Sequence, residues 1–160
     1  MLPLRVVTIS MKESIMYKRI LVPTDGSQAS DRAVHAAIAL ASALGSELYT
    51  VSVRESLLSS TGITEASMIA PSDFLQDAQR KAEVCIDAVR NACSAAGLHC
   101  EAYIVDAVHP WEAVVEQATR HAADLIVMAS HGHLGLGGLI RGSETPKVLS
   151  HTQLSVLIVR

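Results

Sequence analysis

Aromatic side chains are scarce in this chain: one Trp, three Tyr and one Phe among 160 residues. So few rings cannot form the stacking platforms that hold single-stranded nucleic acid. Runs of basic residues are missing too, and the net charge of −3 gives no general attraction to nucleic acid or to an acidic membrane surface. No apolar stretch approaches the roughly 18 residues of a membrane span. Cysteine is rare: Cys85, Cys93 and Cys100 are odd in number and have no CxxC spacing. Disulfide staples are not expected; the thiols read as structural, and a reducing cytoplasm fits them.

What the chain does have is small and branched apolar residues, which make up most of its 49% hydrophobic content. Its length suits one domain with a substantial core. Residues 1–15 carry no strand-like period and read as a loose N-terminal extension; residues 16–160 read as the domain. Within it, short apolar runs alternate with helical stripes. Arg19-Ile20-Leu21-Val22-Pro23 reads as a strand buried on both faces, closed by the proline and a Thr24-Asp25-Gly26-Ser27 turn. A helix is expected from about Ser30 to Leu44, with Val34, Ala37, Ile38 and Ala41 on one stripe and Gly45 as its cap. Further strands are expected at 48–53, 100–105, 125–128 and 154–159. Helices are expected at about 72–96, burying Leu75, Ala78, Ala82, Ile86 and Val89, then at about 110–122 and 143–151. Residues 54–72 are polar, small and without period, long for a connection and a candidate flap. Strands alternating with helices predict a parallel α/β sheet, whose ligands bind beyond the C-terminal strand ends where the strand order reverses.

Two strand ends are chemically unusual. One is Pro23-Thr24-Asp25. The other follows the 125–128 strand, where five of the nine glycines fall within eleven residues, Gly132 to Gly142. A strand, a glycine-rich stretch and a helix start at Ser143 describe a phosphate pocket, because glycine permits close backbone approach and a helix start offers unpaired N–H groups. Two templates fail. The P-loop ends in Gly-Lys-Ser/Thr, whereas this stretch ends Arg141-Gly142-Ser143. The dinucleotide fingerprint fails because Ile140 stands where its last glycine belongs. His131 and His133 have no neighbouring Cys, Asp or Glu in sequence and read as solvent-facing or phosphate-proximal rather than metal ligands. Trp111 reads as a packing anchor between helix and sheet.

The order Ala129-Ser130-His131-Gly132, nine residues, then Gly142-Ser143 resembles the nucleotide loop of the universal stress protein family, whose motif is Gly, two residues, Gly, nine residues, Gly, Ser or Thr. The stretches YKRILVPTDGS, DLIVMASHG and GSETPKVLSHTQLSVLIVR are similar to the family's first strand, fourth strand, and closing helix and strand. The resemblance implies an open five-stranded parallel sheet of order 3-2-1-4-5 with helices on both faces. That is a Rossmann-like architecture of the adenine nucleotide alpha hydrolase type. It implies ATP as ligand, accompanied by Mg or Mn. Pro23, Thr24 and Asp25 would lie beside base and ribose, with Asp25 accepting from ribose hydroxyls or holding the divalent ion. Val53 would pack on adenine, and Met128 and Ala129 would contact the nucleoside. Gly132, Gly142, Ser143 and Thr145 would hold phosphates, with His131, His133 and Glu144 alongside. On the residues alone, Asp25 also reads as an Asx-turn residue, and Ser143 as a plain helix cap, which is compatible with a phosphate role.

One departure matters. The motif's first glycine is Ala129 here. A β-like backbone tolerates the added methyl; a close approach to the nucleoside does not. The expected function is an ATP-binding stress-response regulator with slow or no hydrolysis. The alternatives are a dimeric interaction protein without nucleotide, and a weak ATPase. The apolar strand 154–159, at a sheet edge, is expected to pair across a two-fold axis in a homodimer.

Overall fold

The computed structural model describes residues 16–55, 72–130 and 144–160. Five parallel strands, β1 (Arg19–Pro23), β2 (Glu47–Glu55), β3 (Cys100–Ala107), β4 (Leu125–Ala129) and β5 (Ser155–Val159), lie in the order β3-β2-β1-β4-β5. Helices α1 (Gln28–Leu44), α2 (Ser72–Ala95), α3 (Pro110–Arg120) and α4 (Glu144–His151) connect them. The architecture is the expected Rossmann-like α/β sheet.

The continuous apolar runs of β1 and β4 are explained by their position, because both strands are covered on both faces. Ile20, Val22, Leu125 and Val127 pack under Val34, Ala37 and Ala41 of α1 and Val89 and Cys93 of α2. Leu21, Ile126 and Met128 pack on the other face under Val114 and Ala118 of α3 and Val148 of α4. Ile20, Leu21 and Ile126 are fully buried; truncating such a residue to Ala costs about 2–5 kcal/mol. Thr50, also fully buried, satisfies its hydroxyl by donating to the Val22 carbonyl at 2.8 Å.

Several boundaries differ from the periodicity, each for a local reason. α1 starts two residues early because Ser27 caps it: its side chain accepts from the Ser30 N–H at 3.1 Å. β2 runs on to Glu55 because Arg54 lies opposite Asp106 on β3 and donates to its carboxylate at 2.6 Å. Residues 56–71, the rest of the candidate flap, lie outside the described residues. Leu75 is not part of the α2 stripe: it is 55% exposed, and burial on this helix begins only at Ala78, so the first turns overhang the sheet. Cys93 and Cys100 are buried, Cys85 is half-buried, and all three are free thiols. Trp111 joins the α3-side core and leans on the His151 ring at 4.2 Å, the packing role expected of it. His121, just after α3, stacks against the rings of both Tyr49 and Tyr103.

Candidate functional site

The strand order reverses between β1 and β4. They pair at Ile20↔Leu125 and Leu21↔Ile126, so Pro23-Thr24-Asp25 and Ala129-Ser130 emerge side by side at the C-terminal edge. This is where open parallel sheets bind ligands.

The first wall is a tightly bonded turn. The Thr24 N–H continues the β1–β2 ladder past Pro23 by donating to the Val51 carbonyl at 2.9 Å. Thr24 is buried, and its hydroxyl accepts from the Gly26 N–H at 3.3 Å. Asp25 is exposed, and its Oδ1 accepts from the Ser27 N–H at 2.9 Å. The Asx-turn role of Asp25 is therefore real. It does not exclude a ligand role, since a carboxylate offers about four acceptor positions. Gly26 has φ +73°, the left-handed region that favours glycine. Val53 lies two residues beyond the Pro23↔Val51 pair and faces the α3 side of the sheet.

The second wall is the end of β4. Ala129 is a strand residue, paired with Val159, and its methyl packs against the α1-side core. Ala122 is the one non-glycine with positive φ among the described residues, so Ala129 stands in ordinary extended backbone. The Ala129 carbonyl accepts from the Thr145 hydroxyl at 2.8 Å, and the Ser130 N–H donates to the Val159 carbonyl at 2.9 Å. Met128 is 6% exposed, its side chain committed to the α3-side core.

Sequence reasoning missed what Glu144 does. Its Oε2 accepts from the Trp111 N–H at 2.9 Å, and its Oε1 lies 3.3 Å from Lys147 Nζ. α3 has His109 at its N-cap with no side-chain bond, so the carboxylate on α4 supplies the missing cap from outside. Nothing in a single sequence signals a cap that arrives from 33 residues away. The Gly26–Cys85 contact was missed as well. A Cβ on Gly26 would stand 2.7 Å from Cys85 Sγ. Burial first, then the Asp25 carboxylate, pushes the Cys85 thiol above its usual range, so it is protonated at neutral pH.

Of the expected site residues, Pro23, Thr24, Asp25, Ala129 and Thr145 come together at this edge, with Val53 flanking. His131, Gly132, His133, Gly142 and Ser143 lie outside the described residues. On the β5 side of Ser130 and Thr145, an open hollow of about 490 Å³ is lined by Arg32, Arg160 and Leu149 among others. No cluster of three metal-ligating side chains occurs among the described residues.

Residues 16–160 match the Universal stress protein family. The chain belongs to that family. A universal stress protein from Thermus aquaticus, encoded in the QAH/OAS sulfhydrylase 3′ region, is 32% identical over 146 residues, 91% of this chain and all of the relative. Universal stress protein MJ0531 of Methanocaldococcus jannaschii is 30% identical over 146 residues, 91% of this chain and 83% of the relative. Among solved structures, a universal stress protein in complex with cAMP superposes with a TM-score of 0.68, at 29% identity, covering 91% of this chain and 98% of that one.

Proposed function

We propose that this universal stress protein binds an adenine nucleotide, ATP, in the crevice between the β1 and β4 ends and acts as a nucleotide-dependent regulator. The observation that carries this is the state of Ala129. The residue that breaks the family's glycine motif sits in extended strand backbone, where a methyl has no conformational cost, and its carbonyl is clasped to Thr145 at the start of α4. Both facts support reading Ala129 as compatible with the family's nucleotide frame. A relative bound to cAMP supports adenine nucleotides as the ligand class.

Asp25 is exposed beside the crevice and suits ribose hydroxyls or the divalent ion, Mg or Mn, that accompanies the phosphates. Thr24 and Pro23 form the turn beneath it, and Val53 offers apolar surface for the base. Met128 contributes through its main chain, since its side chain is committed to the core. The start of α4, with Thr145, faces the phosphates; His131, Gly132, His133, Gly142 and Ser143 complete that end. Hydrolysis is slow or absent in this reading, because the sequence carries no Gly-Lys-Ser/Thr phosphate loop and no base paired with an orienting residue. The test is equilibrium titration with labelled ATP and magnesium. Saturable binding that is weakened in Asp25→Ala is expected; no binding at millimolar ATP overturns the reading and leaves the dimeric interaction protein.

The homodimer belongs to the same proposal. Among the described residues β5 pairs with β4 alone, and Leu157 is 40% exposed at that edge. An apolar edge strand with unpaired N–H and C=O groups is a template for a second copy. The three free thiols support a reducing, cytoplasmic setting. No helix among the described residues is long and apolar enough to cross a membrane.

A further inference from the structure

We propose that Cys85 is a positioning residue for the ribose end of the nucleotide, acting through Gly26 on Asp25; the inference rests on the nucleotide reading above. The sulfur occupies the volume that any side chain at position 26 would need, at 2.7 Å from the Cβ position. Cβ atoms essentially never come that close to another heavy atom, so it is the lack of a side chain at 26 that lets the turn lie against the sulfur. The helix that carries the thiol is packed in place: Ala82, Ile86 and Val89, on the adjoining face of α2, are buried in the protein.

The turn itself is stiff. Thr24 holds the Gly26 N–H, Asp25 holds the Ser27 N–H, and Ser27 caps α1. A push at Gly26 is therefore passed to its neighbour, the Asp25 carboxylate, rather than absorbed. A carboxylate reads a ribose diol by direct hydrogen bonds, and such bonds weaken steeply with displacement. Cys85 is small, uncharged in its thiol form, and placed to set where that carboxylate stands. A larger side chain at 85 displaces the turn outward, a shorter one lets it sag, and serine, of similar size, keeps it in place.

The test compares ATP with 2′,3′-dideoxy-ATP, which lacks the ribose hydroxyls, by equilibrium titration with magnesium. The wild type is expected to prefer ATP by about tenfold, the scale of one charge-assisted hydrogen bond. In Cys85→Leu the ATP affinity is expected to fall by about tenfold while dideoxy-ATP binding stays within about twofold, so the preference collapses towards one, as it does in Asp25→Ala. Cys85→Ala should shift the preference in the same direction by a smaller factor, and Cys85→Ser should restore it. Should Cys85→Leu fail to fold, Cys85→Ala against Cys85→Ser decides. Equal loss for both nucleotides, with the preference kept, makes the thiol merely structural and overturns the proposal; so does wild-type behaviour in both variants. Absence of ATP binding in the wild type is a separate outcome, which removes the nucleotide reading and this role together.

Discussion

The Thr145 hydroxyl donates to the Ala129 carbonyl at 2.8 Å, joining the last residue of β4 to the first turn of α4 across 16 positions of sequence. Thr145→Val keeps the shape and removes the donor. The half-buried bond contributes about 1 kcal/mol, and urea unfolding of Thr145→Val should show a loss of that order. ATP affinity should fall as well, while Thr145→Ser retains both. Unchanged stability and affinity in Thr145→Val would mean that the clasp does not set the site.

Ala129→Gly restores the family's motif but is expected to lower stability by about 0.5–1 kcal/mol, because glycine in a strand carries an entropic cost. It should not create ATP binding in a protein that lacks it. A gain from undetectable to measurable binding in a titration would show that the methyl blocks the nucleoside, and would favour the interaction-protein reading.

Glu144→Ala removes the carboxylate that caps α3 at the Trp111 N–H, at an expected cost of about 1 kcal/mol. Trp111 is the only tryptophan in the chain, so its emission reports the change directly. A shifted spectrum together with a lower melting temperature is expected; an unaltered spectrum argues against the cap.

Tyr49 gives an alkaline signature. Its hydroxyl donates to Glu47 Oε2 at 2.8 Å, and that bond first, then burial, pushes its pKa from 10 up to about 12. The folded state keeps this phenol protonated where the unfolded chain ionises. The stability it contributes is whole below pH 10 and is lost as the pH rises to about 12. Tyr49→Phe should flatten that part of the stability-against-pH curve, read by thermal unfolding between pH 9 and pH 12.

Leu157→Glu places a charge on the exposed edge of β5. Light scattering should move from twice 17.0 kDa to the single-chain mass, with the circular dichroism spectrum unchanged. A wild type that already scatters as one chain would refute the dimer.

Much of this was legible in the sequence because the sheet is buried on both faces. Ile20-Leu21-Val22 and Leu125-Ile126-Val127 cannot alternate with polar residues, and that pattern, repeated between helical stripes, leaves little choice of fold class. The end of α1 was legible because Gly45 adopts the left-handed cap that glycine favours. What stayed hidden is long-range. Leu75 fits the helical period as well as Ala82 does, and only the place where α2 meets the sheet exposes one and buries the other. The capping of α3 by Glu144 and the approach of Cys85 to Gly26 join residues with no local relation, so no spacing announces them. Asp25 showed both of its readings from the start, and the structure keeps the turn without ending the other.

The clasp between Ala129 and Thr145 also fixes how α4 sits on the sheet. Val148, three residues on and so on the same side of the helix, is fully buried in the cluster that holds Ile126 and Met128. The helix is thus pinned at two points along one face, one polar and one apolar. A helix held in that way does not roll, so the side it turns to the end of β4 is set by folding and not by a ligand.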